Sequence, residues 1–175
     1  MSDALDDGAC SPVVNVDEVP EETHLNGEHW GGHHKKLTPS MRPHGGMLGV
    51  RQLRVPPGRT AYPFHAHLRE DEAFFILSGQ GLLRYGDDLH PLRPGDCVSC
   101  PAGTGKAHQI VNTSGHEDLI YLSIGNRDPH EVCTYPDNGK VLVRGIDKIG
   151  LLEERAYLDG EPEVPKIVGM ISKEG

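Results

Sequence analysis

Apolar and polar residues alternate through the middle of the chain in short runs punctuated by glycine and proline. Residues 47–55 are apolar-rich and stop at Pro56-Pro57-Gly58; residues 60–67 follow and end in the polar turn Leu68-Arg69-Glu70-Asp71. Residues 72–77 are closed by Ser78-Gly79-Gln80-Gly81, and 82–85, 89–92, 97–100, 107–112, 119–124 and 131–135 continue the series. Turn signals recur about every 8–12 residues, with no amphipathic helical stretch of about ten residues between them, so the pattern predicts an all-β sandwich or barrel. One short helix is expected within 149–157. The chain divides into an arm (1–28), an N-terminal strand extension (29–46), a barrel (47–144) and a C-terminal tail (145–175).

Composition sharpens this picture. The 175 residues make one domain of ordinary size. Glycine (22) and proline (14) form about a fifth of the chain, which leaves little room for long helices. The net charge is −9, but residues 1–28 hold eight acids and no lysine or arginine, while the remainder has 18 acids against 17 bases. The acidity belongs to the arm, which is expected to be flexible. No basic field exists to attract a phosphate backbone, so nucleic acid is not an expected partner. The longest apolar run, 73–77, is far from the roughly 20 residues of a membrane helix, so no membrane association is expected. The opening Met-Ser-Asp reads as neither signal nor transit peptide, and a cytoplasmic protein is expected.

Cysteines at 10, 97, 100 and 133 have no disulfide-framework spacing. Cys97-Val-Ser-Cys100 is nominally C-x-x-C, but no second pair completes a zinc site, and in a strand residues three apart face opposite sides. Ordinary small buried residues are the expectation. Trp30 sits in the Gly- and His-rich stretch 29–39, read as a lead-in strand whose tryptophan anchors on the domain or on a second subunit. Gly103-Thr-Gly105-Lys106 imitates a phosphate-binding loop but fails the full pattern at Cys100 and Ala107. Asn112-Thr-Ser114 matches a glycosylation acceptor that a chain without a secretory signal would not use.

The strongest chemistry lies in two blocks. In the first, Gly58 precedes His65-Ala-His67, with Glu72 after four intervening residues and Gly79 after six more. Two residues apart on a strand, His65 and His67 face one side, and Glu72 opens the returning strand. Two imidazoles and a carboxylate brought together in this way hold a divalent metal. The second block runs from Gly95 through Pro101-Ala-Gly103 to His108 and Asn112 and adds another histidine.

Together these blocks resemble the two signature motifs of the cupin superfamily, in order and separated by residues 80–94. Four residues stand between Gly103 and His108 where the family pattern has two, which lengthens the turn before that strand. The resemblance covers about 47–125 and continues through Asp128-Pro-His-Glu-Val to Lys140-Val, where the chain looks like a bacterial subgroup of single-domain cupins, some labelled sugar-phosphate isomerases. It implies a double-stranded β-helix, or jelly roll, with one divalent transition metal (zinc, iron, manganese or nickel) per chain on His65, His67, Glu72 and His108. It also implies a homodimer, which pairing of the 29–38 strand with a neighbouring subunit would form. A small oxygenated ligand, sugar-like or dicarbonyl, is the expected partner. Isomerisation, lyase and dioxygenase chemistry, or metal or sugar binding without turnover, all stay open, because fold alone does not decide among them.

Candidates for contacting such a ligand are Lys106, Arg51, Arg54, Tyr62 and Tyr121. Arg51 shares the parity of Leu53 and Val55 while Arg54 alternates with them, so one of the two is expected to look inward. Solvated charges and plain core aromatics are the alternatives. No Brønsted base besides the ligands is evident.

Overall fold

A computed structural model describes residues 11–171 of the chain. Cys10, the first ten residues of the arm and the last four of the tail lie outside the described residues. The alternating pattern becomes thirteen strands: β1 Glu22–Asn26, β2 Trp30–Lys36, β3 Leu48–Val55, β4 Ala66–His67, β5 Glu72–Ser78, β6 Gly81–Tyr85, β7 Asp88–Leu92, β8 Cys97–Cys100, β9 His108–Asn112, β10 Leu119–Asn126, β11 Val132–Tyr135, β12 Lys140–Val143 and β13 Lys148–Leu151. They form a jelly-roll β fold from sheets of order β1-β2-β3-β10-β5-β8, β13-β12-β11-β4 and β7-β6-β9. Among the described residues no helix is long and apolar enough to cross a membrane.

The two-residue period of the strands places the site. Leu53, Tyr121 and Ile76 stand opposite one another across β3, β10 and β5, each at most 1% exposed. Two residues along each strand, on the same face, comes the row Arg51, Ser123 and Phe74, and then the row Gly49, Gly125 and Glu72. The inner face of the sheet therefore runs from a closed apolar core to a last row with two missing side chains and a carboxylate. Gly79 makes the return from β5 possible: its φ of +80° is a left-handed conformation, and a Cβ there would sit 2.3 Å from the Asp118 carbonyl oxygen.

Four sequence expectations change. The strand expected over 60–67 is regular only at Ala66–His67, because Pro63 has no N–H to give a ladder. The rest is held by single bridges, Thr60 to Val111 and His65 to His108. The helix expected over 149–157 is absent. Ile149 and Leu151 instead lie in β13, paired antiparallel to β12 after a turn in which Asp147 has a φ of +50°. The α-helix among the described residues is α1, Lys166–Ile171.

The arm expected to be flexible contains β1, tied to β2 by five register pairs and to β3 through Glu21, whose carboxylate accepts from Arg54 Nη2 at 2.6 Å and Nε at 3.0 Å. Finally, β2 lies between β1 and β3 of its own chain, so the strand expected to pair with a neighbouring subunit is already paired at both sides. The edge strands of that sheet are β1 and β8.

Asn112 ties β9 to the end of β3 and to the loop before β10, at the far end of the barrel. It is fully buried, Nδ2 donates to the carbonyls of Val55 and Glu117 at 2.8 Å each, and Oδ1 accepts from Ser114 N. Asn112→Ala leaves those carbonyls unpaired, at about 1–3 kcal/mol per buried group. We expect urea unfolding to report a loss of about 2–4 kcal/mol; a loss below about 0.5 kcal/mol would show that water replaces the amide.

Candidate metal centre

His65, His67, Glu72 and His108 come together, their ligand atoms all within 4.8 Å of one another. His67 ends β4, Glu72 opens β5 after the four-residue turn, and His108 opens β9. His65 is fixed against His108 by reciprocal backbone hydrogen bonds, His108 N to His65 O at 2.8 Å and His65 N to His108 O at 3.2 Å. The longer turn before His108 does not displace it. Gly103 and Gly105, with φ of +71° and +70°, curl the extra residues outward, while Gly103 N donates to the His67 carbonyl.

Three imidazoles converge on one oxygen. Glu72 Oε2 lies 2.8 Å from His108 Nε2, 3.3 Å from His67 Nε2 and 3.7 Å from His65 Nε2. Burial works against the Glu72 carboxylate, yet the hydrogen bond with His108 and the imidazoles of His65 and His67 close by hold its pKa well below the usual range. Burial lowers that of His108. Burial also opposes charge on His67, but Glu72, Glu131 and Glu70 outweigh it and the pKa rises.

The residues fit a divalent ion. His67 Nε2 is buried with no hydrogen-bond partner, a polar atom aimed into the cluster and left unsatisfied. His65 Nδ1 lies 2.7 Å from the Pro63 carbonyl, which accepts only from the Nδ1–H tautomer and so leaves Nε2 its lone pair. Neutral imidazoles with one carboxylate suit zinc, iron, manganese or nickel.

A second layer, which sequence reading missed, orients His67. Glu131 is fully buried; its Oε1 lies 3.2 Å from His67 Nδ1 and accepts from Leu68 N at 2.9 Å, and its Oε2 accepts from Arg69 N at 2.9 Å. Glu70, also buried, accepts from Asp128 N and Arg144 Nη2 at 2.8 Å each. A glutamate behind a histidine ligand fixes the ring's tautomer and orientation.

Beside the tetrad opens a cavity of about 500 Å³, with Glu72, Glu70 and Arg51 in its wall. The five candidate ligand contacts separate there. Arg51 lines the cavity, whereas Tyr62 packs against the core and has its phenol pKa raised by burial. Tyr121 sits one row too deep, edge-on to Phe74 and 1% exposed. Arg54 points outward to Glu21 and Asp118. Lys106 is exposed, 5.5 Å above the Tyr85 ring and outside the cavity, because β9 begins only at His108. Cys97 is exposed and Cys100 buried, where burial pushes the thiol up to about 12.

A family model for the cupin domain matches residues 51–125. Auxin-binding protein T85 of Nicotiana tabacum is 31% identical over 139 residues, 71% of this chain and 68% of the tobacco protein. The chain belongs to the cupin superfamily. A solved structure from Acidithiobacillus ferrooxidans, named as an inferred sugar phosphate isomerase, superposes with a TM-score of 0.67 at 28% identity, covering 81% of this cupin and 91% of that chain. The oxalate-binding protein of Thermotoga maritima is 33% identical over 73 residues, 42% of this cupin and 57% of the relative.

Two substitutions test the site. His108→Ala removes a candidate ligand and is expected to lower bound metal at least tenfold by elemental analysis, since even outer-layer losses cost about 10–100-fold. Full occupancy in that variant would reduce the site to three residues. In Glu131→Gln the amide NH₂ must face the backbone N–H of Leu68 or Arg69, so either His67 loses its acceptor or the turn that carries it loses a hydrogen bond. We expect metal affinity by calorimetry to fall about 10–100-fold while the folded β signature remains.

Proposed function

We propose that this cupin holds one divalent transition metal on His65, His67, Glu72 and His108 and is an enzyme acting on a small oxygenated substrate, sugar-like or dicarbonyl. The convergence of three Nε2 atoms on Glu72 Oε2, with His67 Nε2 unsatisfied, carries the reading. When bound, such an ion polarises a substrate oxygen or activates dioxygen, which serves isomerisation, lyase or dioxygenase chemistry. The chain's own part is positional: Glu131 and the Pro63 carbonyl fix two imidazoles, and the glycine row leaves room for the substrate beside Glu72. The names of the relatives, a sugar phosphate isomerase and an oxalate-binding protein, support small polyoxygenated ligands.

A second reading, a metal- or sugar-binding module without turnover, is favoured by the cavity wall. Of its proton-carrying groups, Glu72 is taken up by the imidazoles, Glu70 by Arg144 and Lys36 by Glu22, which leaves Asp147 as the wall's one acid without an ion pair among the described residues. We also propose a homodimer with β1 as the edge open to a partner, and a cytoplasmic location supported by the free thiols of Cys97, Cys100 and Cys133. Light scattering tests the dimer: a monomer mass contradicts it.

Turnover on a panel of sugar phosphates and β-diketones, under air and under nitrogen, separates the two readings. Product from any of them in the metal-loaded protein supports the enzyme, and loss of product under nitrogen assigns dioxygenase chemistry; binding without product supports the module. Removing metal with a chelator is expected to lower the melting temperature, since a ligand at about 100 times its Kd stabilises by about 2.7 kcal/mol. An identical melting temperature with and without chelator argues against the metal.

A further inference from the structure

From the cavity wall we infer that the molecule taken up beside the tetrad carries an anionic group, a phosphate monoester or a carboxylate, held by Arg51, Arg42 and Arg127. The inference rests on the proposed metal site for the other end of the molecule, but its own support is the charge and shape of the wall.

The chain as a whole carries −9, yet five basic and three acidic residues line this cavity, leaving it net positive by two. Most of the acids are already engaged. Glu72 is taken up by the imidazoles, and Glu70 by Arg144 at 2.8 Å. Lys36 is neutralised from outside the cavity by Glu22 at 2.6 Å. Arg42, Arg51 and Arg127 have no carboxylate within salt-bridge distance among the described residues, and Asp147 is the acid left facing them. Three guanidiniums in one cavity wall, with no direct ion pair and Asp147 as the one unengaged acid there, leave an excess of positive charge that a bound anion relieves. The planar fork of arginine matches phosphate and carboxylate oxygens in pairs.

The geometry sets the size of the ligand. Arg51 stands on β3 and Glu72 on β5, two strand spacings across and two residues along, so their backbones are about 12 Å apart. Gly49 and Gly125 face each other in the row that ends at Glu72 and leave that span open. A volume of about 500 Å³ admits a small metabolite and no polymer. A molecule with oxygens at one end for the ion and an anionic group a few bonds away fits between them.

The test is calorimetry on the full chain with its purified metal complement, titrated with ribose 5-phosphate, malonate and ribose. Ribose 5-phosphate or malonate is expected to bind at least tenfold more tightly than ribose, the tighter of the two assigning phosphate or carboxylate. Arg51→Gln is expected to cut that binding at least tenfold with metal content unchanged. Arg127→Gln, at an exposed position, is expected to weaken it several-fold and serves if the Arg51 variant does not fold. Equal binding of ribose, no binding of either anion, or parental binding in both variants overturns the inference. Anion binding that survives chelation and is still lost in the arginine variants upholds the arginine site while removing the metal from the reading. Metal binding without anion preference does the reverse.

Discussion

A single carboxylate oxygen, Glu72 Oε2, is the point about which this molecule is organised. Placing it inside the barrel is costly unless positive charge or donors surround it, and the three Nε2 atoms within 3.7 Å are the set that would share a cation with it. Each histidine then needs its other nitrogen fixed, and the fold supplies a carbonyl for His65 and the buried Glu131 for His67. Glu131 in turn draws two backbone N–H groups of the turn between β4 and β5 onto itself. The turn that brings Glu72 back to the histidines is thus stapled by the group that orients one of them. Site and fold share the same hydrogen bonds.

Much of this was legible from spacing alone. Parity put His65 and His67 on one face and Glu72 on the returning strand, and the apolar runs marked most barrel strands within a residue or two. Where parity failed, the chain was not yet a strand. Lys106 precedes β9, so its distance of two from His108 carries no information about facing. Tyr121 has the correct parity, but facing inward does not fix depth: its register with Leu53 and Ile76 puts it in the core. Arg51, one row nearer the mouth, has the same parity and reaches the cavity.

Glu131 was not legible, for a different reason. In Asp-Pro-His-Glu it reads as one more acid in a polar turn. Its burial arises from pairing between β11 and β4, sixty-odd residues apart in sequence, and from backbone donors whose positions only the fold determines. The helix expected near 149–157 failed for a similar reason. Ile149, Leu151 and Leu152 fit a short helical face as well as a strand, and the open edge of β12 decides between them.

The two glycines at the mouth are unequal in what they permit. A Cβ on Gly125 would come 3.0 Å from the Asp71 carbonyl oxygen and 3.4 Å from Glu72 Cγ, so any side chain there disturbs a ligand. A Cβ on Gly49 meets only the Gly125 carbonyl oxygen, at an easy 3.7 Å, and its backbone needs no left-handed conformation. Relatives built on this frame can therefore narrow or reshape the entrance at position 49 while keeping the tetrad intact. The shape of the entrance and the geometry of the tetrad are free to diverge separately, with one residue as the dial between them.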